Sequence, residues 1–363
     1  MRLSNRQKAV VTTVLVVLLI GMMLGFAEGT VRFRQWLADG HSGKLSDLFV
    51  QQGDLRTLLP DARTRTISVN SLGFRGPPLT QPKPAGVLRI AFVGGSTTFC
   101  AEVSDNTMTW PHLVSEAIQN AYPDRVVDYV NAAVPGYTVK SSLLNYRRRV
   151  APLDPDITVI YHATNDLSWE TRNLARQQGI YGERENQRPS WLAEHSQLWH
   201  LVVKNLYIRA VQNDASKASE RLDFVTSELG SHFRKQLTQL VMQAKQVSEV
   251  VALVTFSHQI RAEQTAEQQL KAAASALYYM PFMEPRSLIE AFQRYNRIIA
   301  EVASDTGALL ISGDEIIPGT SEYFNDTVHF KDAGSRIMAR RVSQALLNDP
   351  ALQLSAVGIT RDN

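Results

Sequence analysis

From residue 87 onward the chain alternates short apolar runs with longer stretches whose apolar residues recur at helical spacing. The run 87–93 (Val-Leu-Arg-Ile-Ala-Phe-Val) is halted by Gly94 and Gly95, as a buried parallel strand is. Residues 110–121 place Trp110, Leu113, Val114, Ala117, Ile118 and Ala121 on one face of a helix. Residues 126–130 then read as a strand, 141–150 as a helix and 157–161 as another buried strand. Farther on, 248–256 is strand-like and 259–276 has the Ala, Glu, Gln and Lys content of a helix. The spacing predicts a long amphipathic helix over 287–306, a last short strand over 308–311 and a terminal helix over 331–347. Strands alternating with helices build a parallel sheet, so α/β is the expected fold class.

Two stretches break this rhythm. Between 167 and 230 the sequence turns polar and rich in Arg and Gln, with Trp169, Trp191 and Trp199 interspersed, and a second irregular stretch covers 259–286. Both are expected as insertions. Mixed charge and scattered Gly and Pro over 29–86, ending in the Pro-rich stretch 77–84, predict a stalk or linker. The expected organisation is an N-terminus over 1–8, an apolar helix over 9–28, the stalk, a catalytic domain over 87–350 and a tail over 351–363.

The run 9–27 carries no charge, and Arg2, Arg6 and Lys8 precede it. At 1.5 Å per residue, about nineteen residues span ~28 Å, close to the hydrocarbon thickness of a bilayer. It is expected to be an uncleaved single-pass signal anchor, with the body of the chain on the extracytoplasmic, periplasmic side. Arg32 and Arg34 beyond the helix reduce the charge asymmetry that sets this orientation. A cleaved signal peptide is the alternative, since Ala27-Glu28-Gly29 offers small residues at suitable places. Both readings export the protein.

Composition narrows the class. Hydrophobic residues at 44% and charged residues at 20% suit a chain that buries a full core. The 38 basic and 35 acidic residues are spread without long blocks, which excludes the dense basic face that nucleic-acid binding requires. Cys100 is the sole cysteine, so no intrachain disulfide and no cysteine-based metal site can form.

The first strand of the sheet ends in Gly94-Gly95-Ser96-Thr97-Thr98, which puts a serine at the turn where a strand gives way to a loop. A serine hydroxyl is a poor nucleophile until a base takes its proton, so a histidine must come from elsewhere. It comes from Asn325-Asp326-Thr327-Val328-His329-Phe330, directly before the last helix. The Asp-x-x-His spacing lets one loop supply both the base, His329, and the carboxylate that fixes its tautomer, Asp326. Gly136 follows the second strand, and Asn165-Asp166 follows the third. A glycine N–H, an asparagine amide and the Ser96 N–H together would make a three-donor oxyanion hole. Taken singly, each of these residues also reads as a turn, cap or surface residue; their coincidence at successive strand ends favours chemistry.

Taken as a set, Gly94-Gly95-Ser96, Gly136, Ala163-Thr164-Asn165-Asp166 and Asp326-Thr327-Val328-His329 resemble, in order, the four blocks of the SGNH hydrolase superfamily, the GDSL-type lipases and esterases. The resemblance covers about 87–347 and implies a flavodoxin-like three-layer α/β/α sandwich with a central parallel sheet. It implies a Ser–His–Asp mechanism with Ser96, Asp326 and His329 as triad and Ser96, Gly136 and Asn165 as oxyanion donors, with no metal and no organic cofactor. Two positions depart from the pattern: Gly95 stands where an acidic residue is usual, and Ala163 where a glycine is usual. The segment Asn70-Ser71-Leu72-Gly73-Phe74-Arg75-Gly76 also resembles a stretch of membrane-anchored bacterial members, and reads as a glycine-rich turn.

The expected activity is hydrolysis of a carboxylic, O-acyl ester at the cell envelope, acting on a small-molecule or glycan ester. One alternative passes the acyl group to an envelope polysaccharide, beside a membrane protein that donates it; another is a catalytically silent scaffolding subunit of a membrane complex. His162 reads as a buried, hydrogen-bonded histidine, Cys100 as a small apolar filler, and the three tryptophans as pocket walls or a small core.

Overall fold

The structure is a computed structural model, and it describes residues 4–39, 48–180, 196–199, 201–203, 206, 222 and 224–356. The chain divides into two compact units: residues 1–44 with 184–210, and residues 45–183 with 211–363. Trp191 and much of the first expected insertion lie outside the described residues.

In the first unit, helix α1 (Asn5–Asp39) contains a stretch, Asn5–Arg34, that is long and apolar enough to cross a membrane. The Glu28 carboxylate accepts hydrogen bonds from Arg32 one turn on, from the Ser196 hydroxyl and from the N–H groups of Gln197 and Leu198. A carboxylate at the start of a helical segment satisfies N–H groups that the helix itself leaves unpaired.

The second unit opens with a hairpin, β1 (Phe49–Gln52) and β2 (Leu55–Leu58). Five parallel strands follow: β3 (Val87–Gly94), β4 (Val126–Asn131), β5 (Ile157–Tyr161), β6 (Val250–Val254) and β7 (Leu309–Ile311). Their order is β4-β3-β5-β6-β7. This is the doubly wound 2-1-3-4-5 arrangement of a flavodoxin-like sheet, whose ligands bind beyond the carboxyl ends of the strands. In register, Phe92 pairs with Asn131 and Gly94 with Tyr161, so the loops after β3, β4 and β5 leave the sheet together.

The helices are α2 (Ser96–Phe99), α3 (Trp110–Ala121), α4 (Val139–Asn145), α5 (Thr164–Gln177), α6 (Ser231–Ala244), α7 (Ala266–Ala272), α8 (Ala274–Tyr279), α9 (Pro285–Thr306), α10 (Asp332–Leu347) and α11 (Pro350–Ala356). Helices α3 and α10 pack on one another, and α4, α6 and α9 form a second group, completing three layers. Helix α9 shows why: Leu288, Phe292, Tyr295, Ile299 and Val302 recur at three- and four-residue intervals and are all buried. Pro285 opens it at the first helical position, and Gly307 in the left-handed region closes it.

Four expectations differ from the structure. The stretch expected as a stalk is, from Leu48 on, folded against the sheet: Leu48, Leu58, Ile67 and Val69 make a small core with Phe99 and Ala133. Its scattered apolar residues serve the short hairpin and, after it, an irregular layer that carries no sustained helical or strand periodicity. The loosening expected at 167 sets in only after helix α5, which runs to Gln177. The expected helix over 259–276 is two short ones broken at Ala273, where Thr327 from the loop before α10 inserts. Within the expected tail, Leu352 of α11 is buried in the core.

Candidate active site

Helix α2 begins at Ser96, directly after β3. The turn has no room for side chains at its two glycines. A Cβ at Gly94 would lie 2.1 Å from the Thr98 hydroxyl, and one at Gly95 would lie 2.7 Å from the Asn165 amide nitrogen. The departure at Gly95 therefore leaves the space in which the Asn165 amide sits. Two groups hold α2 from outside. Trp110, the first residue of α3, donates its ring N–H to the Thr97 carbonyl at 3.1 Å. Arg75 is fully buried and donates to the carbonyls of Phe99 and Cys100, both at 2.7 Å, to Thr66 at 3.0 Å and to Asn106 Oδ1 at 2.8 Å, while its guanidinium stacks on the Phe99 ring.

Ser96 Oγ lies 2.7 Å from His329 Nε2. His329 Nδ1 lies 2.9 and 2.8 Å from the two oxygens of Asp326. Asp326 also accepts the N–H groups of Val328 and His329, at 2.9 and 3.0 Å, so the loop wraps its own carboxylate. Burial raises the Asp326 pKa, but the hydrogen bond from His329 and those two N–H groups outweigh it and hold the carboxyl below its usual range. A carboxylate can only accept, so Nδ1 carries the proton and Nε2 turns its lone pair to the Ser96 hydroxyl. Burial lowers the His329 pKa, but the Asp326 hydrogen bond and the nearby Glu102 carboxylate more than reverse this and raise it above the ordinary imidazole value.

The loop is pinned through Thr327. In an uninterrupted helix the Ala276 N–H would bond the Ala272 carbonyl. Here the Thr327 hydroxyl stands between them, donating to Ala272 at 2.7 Å and accepting from Ala276 at 3.2 Å. The Ser275 hydroxyl bonds Thr327 as well. A side chain inserted into the backbone ladder breaks a helix, which accounts for the interruption between α7 and α8.

Gly136 adopts φ +86°, a conformation a side chain would strain, on the loop after β4. Asn165 lies in the first turn of α5 and donates from Nδ2 to the Tyr137 carbonyl at 2.9 Å, which ties the two loops together. The N–H groups of Ser96 and Gly136 donate to no group among the described residues. Ala163, just before α5, has φ −168°, outside the left-handed region that favours glycine.

These residues border a pocket of about 590 Å³. Ser96, Gly136, Asn165, Asp326 and His329 all line it, so every site residue expected from sequence meets there. Glu102, Trp169, Arg172 and Tyr279 line it too. One oxygen of Glu102 is buried without a hydrogen-bond partner, and burial raises its pKa, with His329 opposing. No spacing in the sequence marked Glu102, Arg172 or the role of Thr327, whereas Arg75 stands in the Asn70–Gly76 motif.

Other candidates resolve structurally. Burial lowers the His162 pKa to about 3, and its Nε2 meets the Ser142 hydroxyl at 2.8 Å, away from the pocket. Asp166 accepts the Val139 N–H on both oxygens, and burial pushes its pKa up to about 8. Cys100 is buried, with its thiol pushed up to about 12 by burial, so it carries no thiolate nucleophile. Trp199 belongs to the first unit, and Trp169 lines the pocket. Among the described residues no cluster of three or more His, Cys, Asp or Glu could hold a metal ion.

The family model of GDSL-like lipases and acylhydrolases matches residues 92–337, the stretch that spans β3 to α10. The chain belongs to this family. GDSL-like enzymes cleave acyl esters, and the chain is such an esterase in fold and in family. Solved structures similar to it include an acetylxylan esterase from Geobacillus stearothermophilus, 16% identical over 73% of this chain and 96% of that one, with a TM-score of 0.44. Another is an alpha/beta hydrolase enzyme from the metagenome of Lake Arreo, Spain, 14% identical over 76% of this chain and 97% of that one, with a TM-score of 0.41. No curated protein sequence matches the chain.

Proposed function

We propose that this GDSL-like chain hydrolyses an O-acyl ester through an acyl-enzyme on Ser96. The observation that carries the reading is the unbroken chain from Ser96 Oγ through the His329 ring to Asp326, opening on the pocket. His329 takes the hydroxyl proton as Ser96 Oγ attacks the acyl carbon, and Asp326 stabilises the imidazolium that forms. The oxyanion faces the N–H groups of Ser96 and Gly136 and the Asn165 amide, donors already held in place before charge develops. His329 then returns the proton to the leaving alkoxide. In the second half-reaction it removes a proton from water, which attacks the acyl-enzyme and frees the acid.

The catalytic domain is assigned to 87–350, with 48–86 as a layer that braces the nucleophile turn. The α1 helix suits a single-pass anchor holding the active site on the extracytoplasmic side. Such a tether also suits transfer of the acyl group to an envelope glycan instead of water. A fluorophosphonate probe should label the protein, and Ser96→Ala should abolish labelling and lower aryl acetate turnover by at least ~10³-fold. Unlabelled wild-type protein would refute the nucleophile. Adding a glycan acceptor to an aryl acetate reaction separates hydrolysis from transfer, because transfer moves acetyl groups onto the acceptor.

A further inference from the structure

One wall of the pocket carries charge that ester hydrolysis does not use. Asn165, Ser168, Trp169, Arg172 and Arg176 all line the pocket and recur at three- and four-residue intervals along α5. Arg172 folds back along the helix, one terminal nitrogen donating to Ser168 Oγ at 2.8 Å. Its Nε–H is buried without a partner, and no carboxylate among the described residues pairs with its guanidinium. The group therefore sits about one helical turn, ~5 Å along the axis, from Asn165.

Tyr279 lines the same pocket, and burial raises its pKa, with Tyr278 and Asp326 adding and Arg172 opposing, so it lies in the field of both the Asp326 carboxylate and this arginine. Glu102 borders the same pocket beside His329. An anion is repelled at the Ser96 end by Glu102 and Asp326 and attracted at the α5 wall.

We propose that the α5 wall is a subsite for an anionic oxygen group, carboxylate or phosphate, carried by the ester close to its scissile bond, with Arg172 as the binding residue. The proposal rests on the Ser96 hydrolytic reading. A planar guanidinium with unspent N–H groups matches such an anion in geometry as well as charge. The field fixes the ester's polarity, directing its neutral acyl link to Ser96 and its charge to α5.

The test uses the full-length protein in detergent and two matched pairs of esters. O-acetyl methyl glucuronoside against O-acetyl methyl glucoside places the charge on the alcohol half. An aryl hemisuccinate against an aryl butyrate places it on the acyl half. In at least one pair kcat/KM should favour the anionic ester, chiefly through KM, and the ratio should fall by roughly tenfold in Arg172→Gln and shrink with added salt. The pair that responds identifies the half that carries the charge. A ratio near unity in both pairs, or one indifferent to Arg172→Gln, overturns the subsite while leaving hydrolysis standing. Calorimetry on Ser96→Ala protein with methyl glucuronoside and succinate reads the subsite without turnover. Binding that Arg172→Gln weakens upholds the subsite, and if the wild-type protein at the same time cleaves none of the four esters the hydrolytic reading is refuted while the subsite stands; no binding of either anion refutes the subsite.

Discussion

Replacing Arg75 by methionine keeps an unbranched chain of similar bulk and removes every donor. Three backbone carbonyls, those of Thr66, Phe99 and Cys100, then lose a buried partner, while Asn106 Oδ1 keeps the Ser68 N–H. Leaving a buried acceptor unsatisfied costs ~1–3 kcal/mol, so the low end for three is about 3 kcal/mol. The low end is the better choice, because no carboxylate among the described residues pairs with Arg75 and its removal recovers the desolvation cost that depresses its pKa. At ~2–4 °C per kcal/mol for a domain of this size, the melting temperature should drop by ~6–12 °C. Cys100 holds φ +60°, which is strained for a residue with a Cβ, and Arg75 bonds its carbonyl. Without the clamp this residue can relax and take the C-terminal end of α2 with it. A misplacement of ~1 Å at the nucleophile costs on the order of 10²-fold, so kcat on an aryl acetate should fall by ~10- to 100-fold with KM little changed. Thermal unfolding by circular dichroism and steady-state kinetics read both effects. A melting temperature lowered by under ~2 °C with kcat unchanged would refute the reasoning, since water would then be replacing the guanidinium at no cost.

The proposed mechanism needs neutral His329, whose pKa is raised, so kcat/KM should rise with pH along a limb centred above the ordinary imidazole value. Stability runs the other way: the charged imidazole's contribution is complete below the unfolded value and is lost as pH rises through the folded one. Glu102→Gln removes a carboxylate that raises this pKa, so a pH–rate profile should show the limb shifted to lower pH; an unmoved limb would contradict the electrostatic assignment. Thr327→Val puts a methyl where the hydroxyl bridges Ala272 and Ala276, leaving that carbonyl and N–H unpaired and the His329 loop unpinned; kcat should drop ~10-fold or more, and a kcat equal to wild type would show the insertion to be incidental. Gly95→Ala sets a Cβ 2.7 Å from the Asn165 amide, and displacing one oxyanion donor should cost up to ~10²–10³ in kcat; full activity would mean that Asn165 is not such a donor.

How much of this was legible depended on what kind of regularity each part carries. The strand over 157–161 and the helix over 110–121 match the structure residue for residue, because a wholly buried strand and a one-faced helix each repeat a simple period. Ser96, Gly136 and Asn165 were readable as candidates because each follows a strand end, and a parallel sheet brings successive strand ends to one edge, while Asp326 and His329 were readable from their spacing within one loop before the last helix. The layer built from Leu48, Leu58, Ile67 and Val69 repeats no period, so it read as a stalk. The break at Ala273 was invisible in a sequence of strong helix formers, because its cause is a threonine more than fifty residues away. Glu102 and Arg172 belong to the site through the shape of the pocket, which no local pattern encodes.

Ser96 and His329 are 233 residues apart, and Thr327 joins the histidine loop to a helix pair that precedes it by about fifty. During synthesis the nucleophile turn, the sheet edge and the oxyanion loops can all form while the base is still inside the ribosome. On the proposed mechanism, Ser96 stays unactivated until the loop over 325–330 has emerged and docked. Copies that stop short of that loop hold a serine without its base, so on this reading turnover counts only molecules in which the two have met.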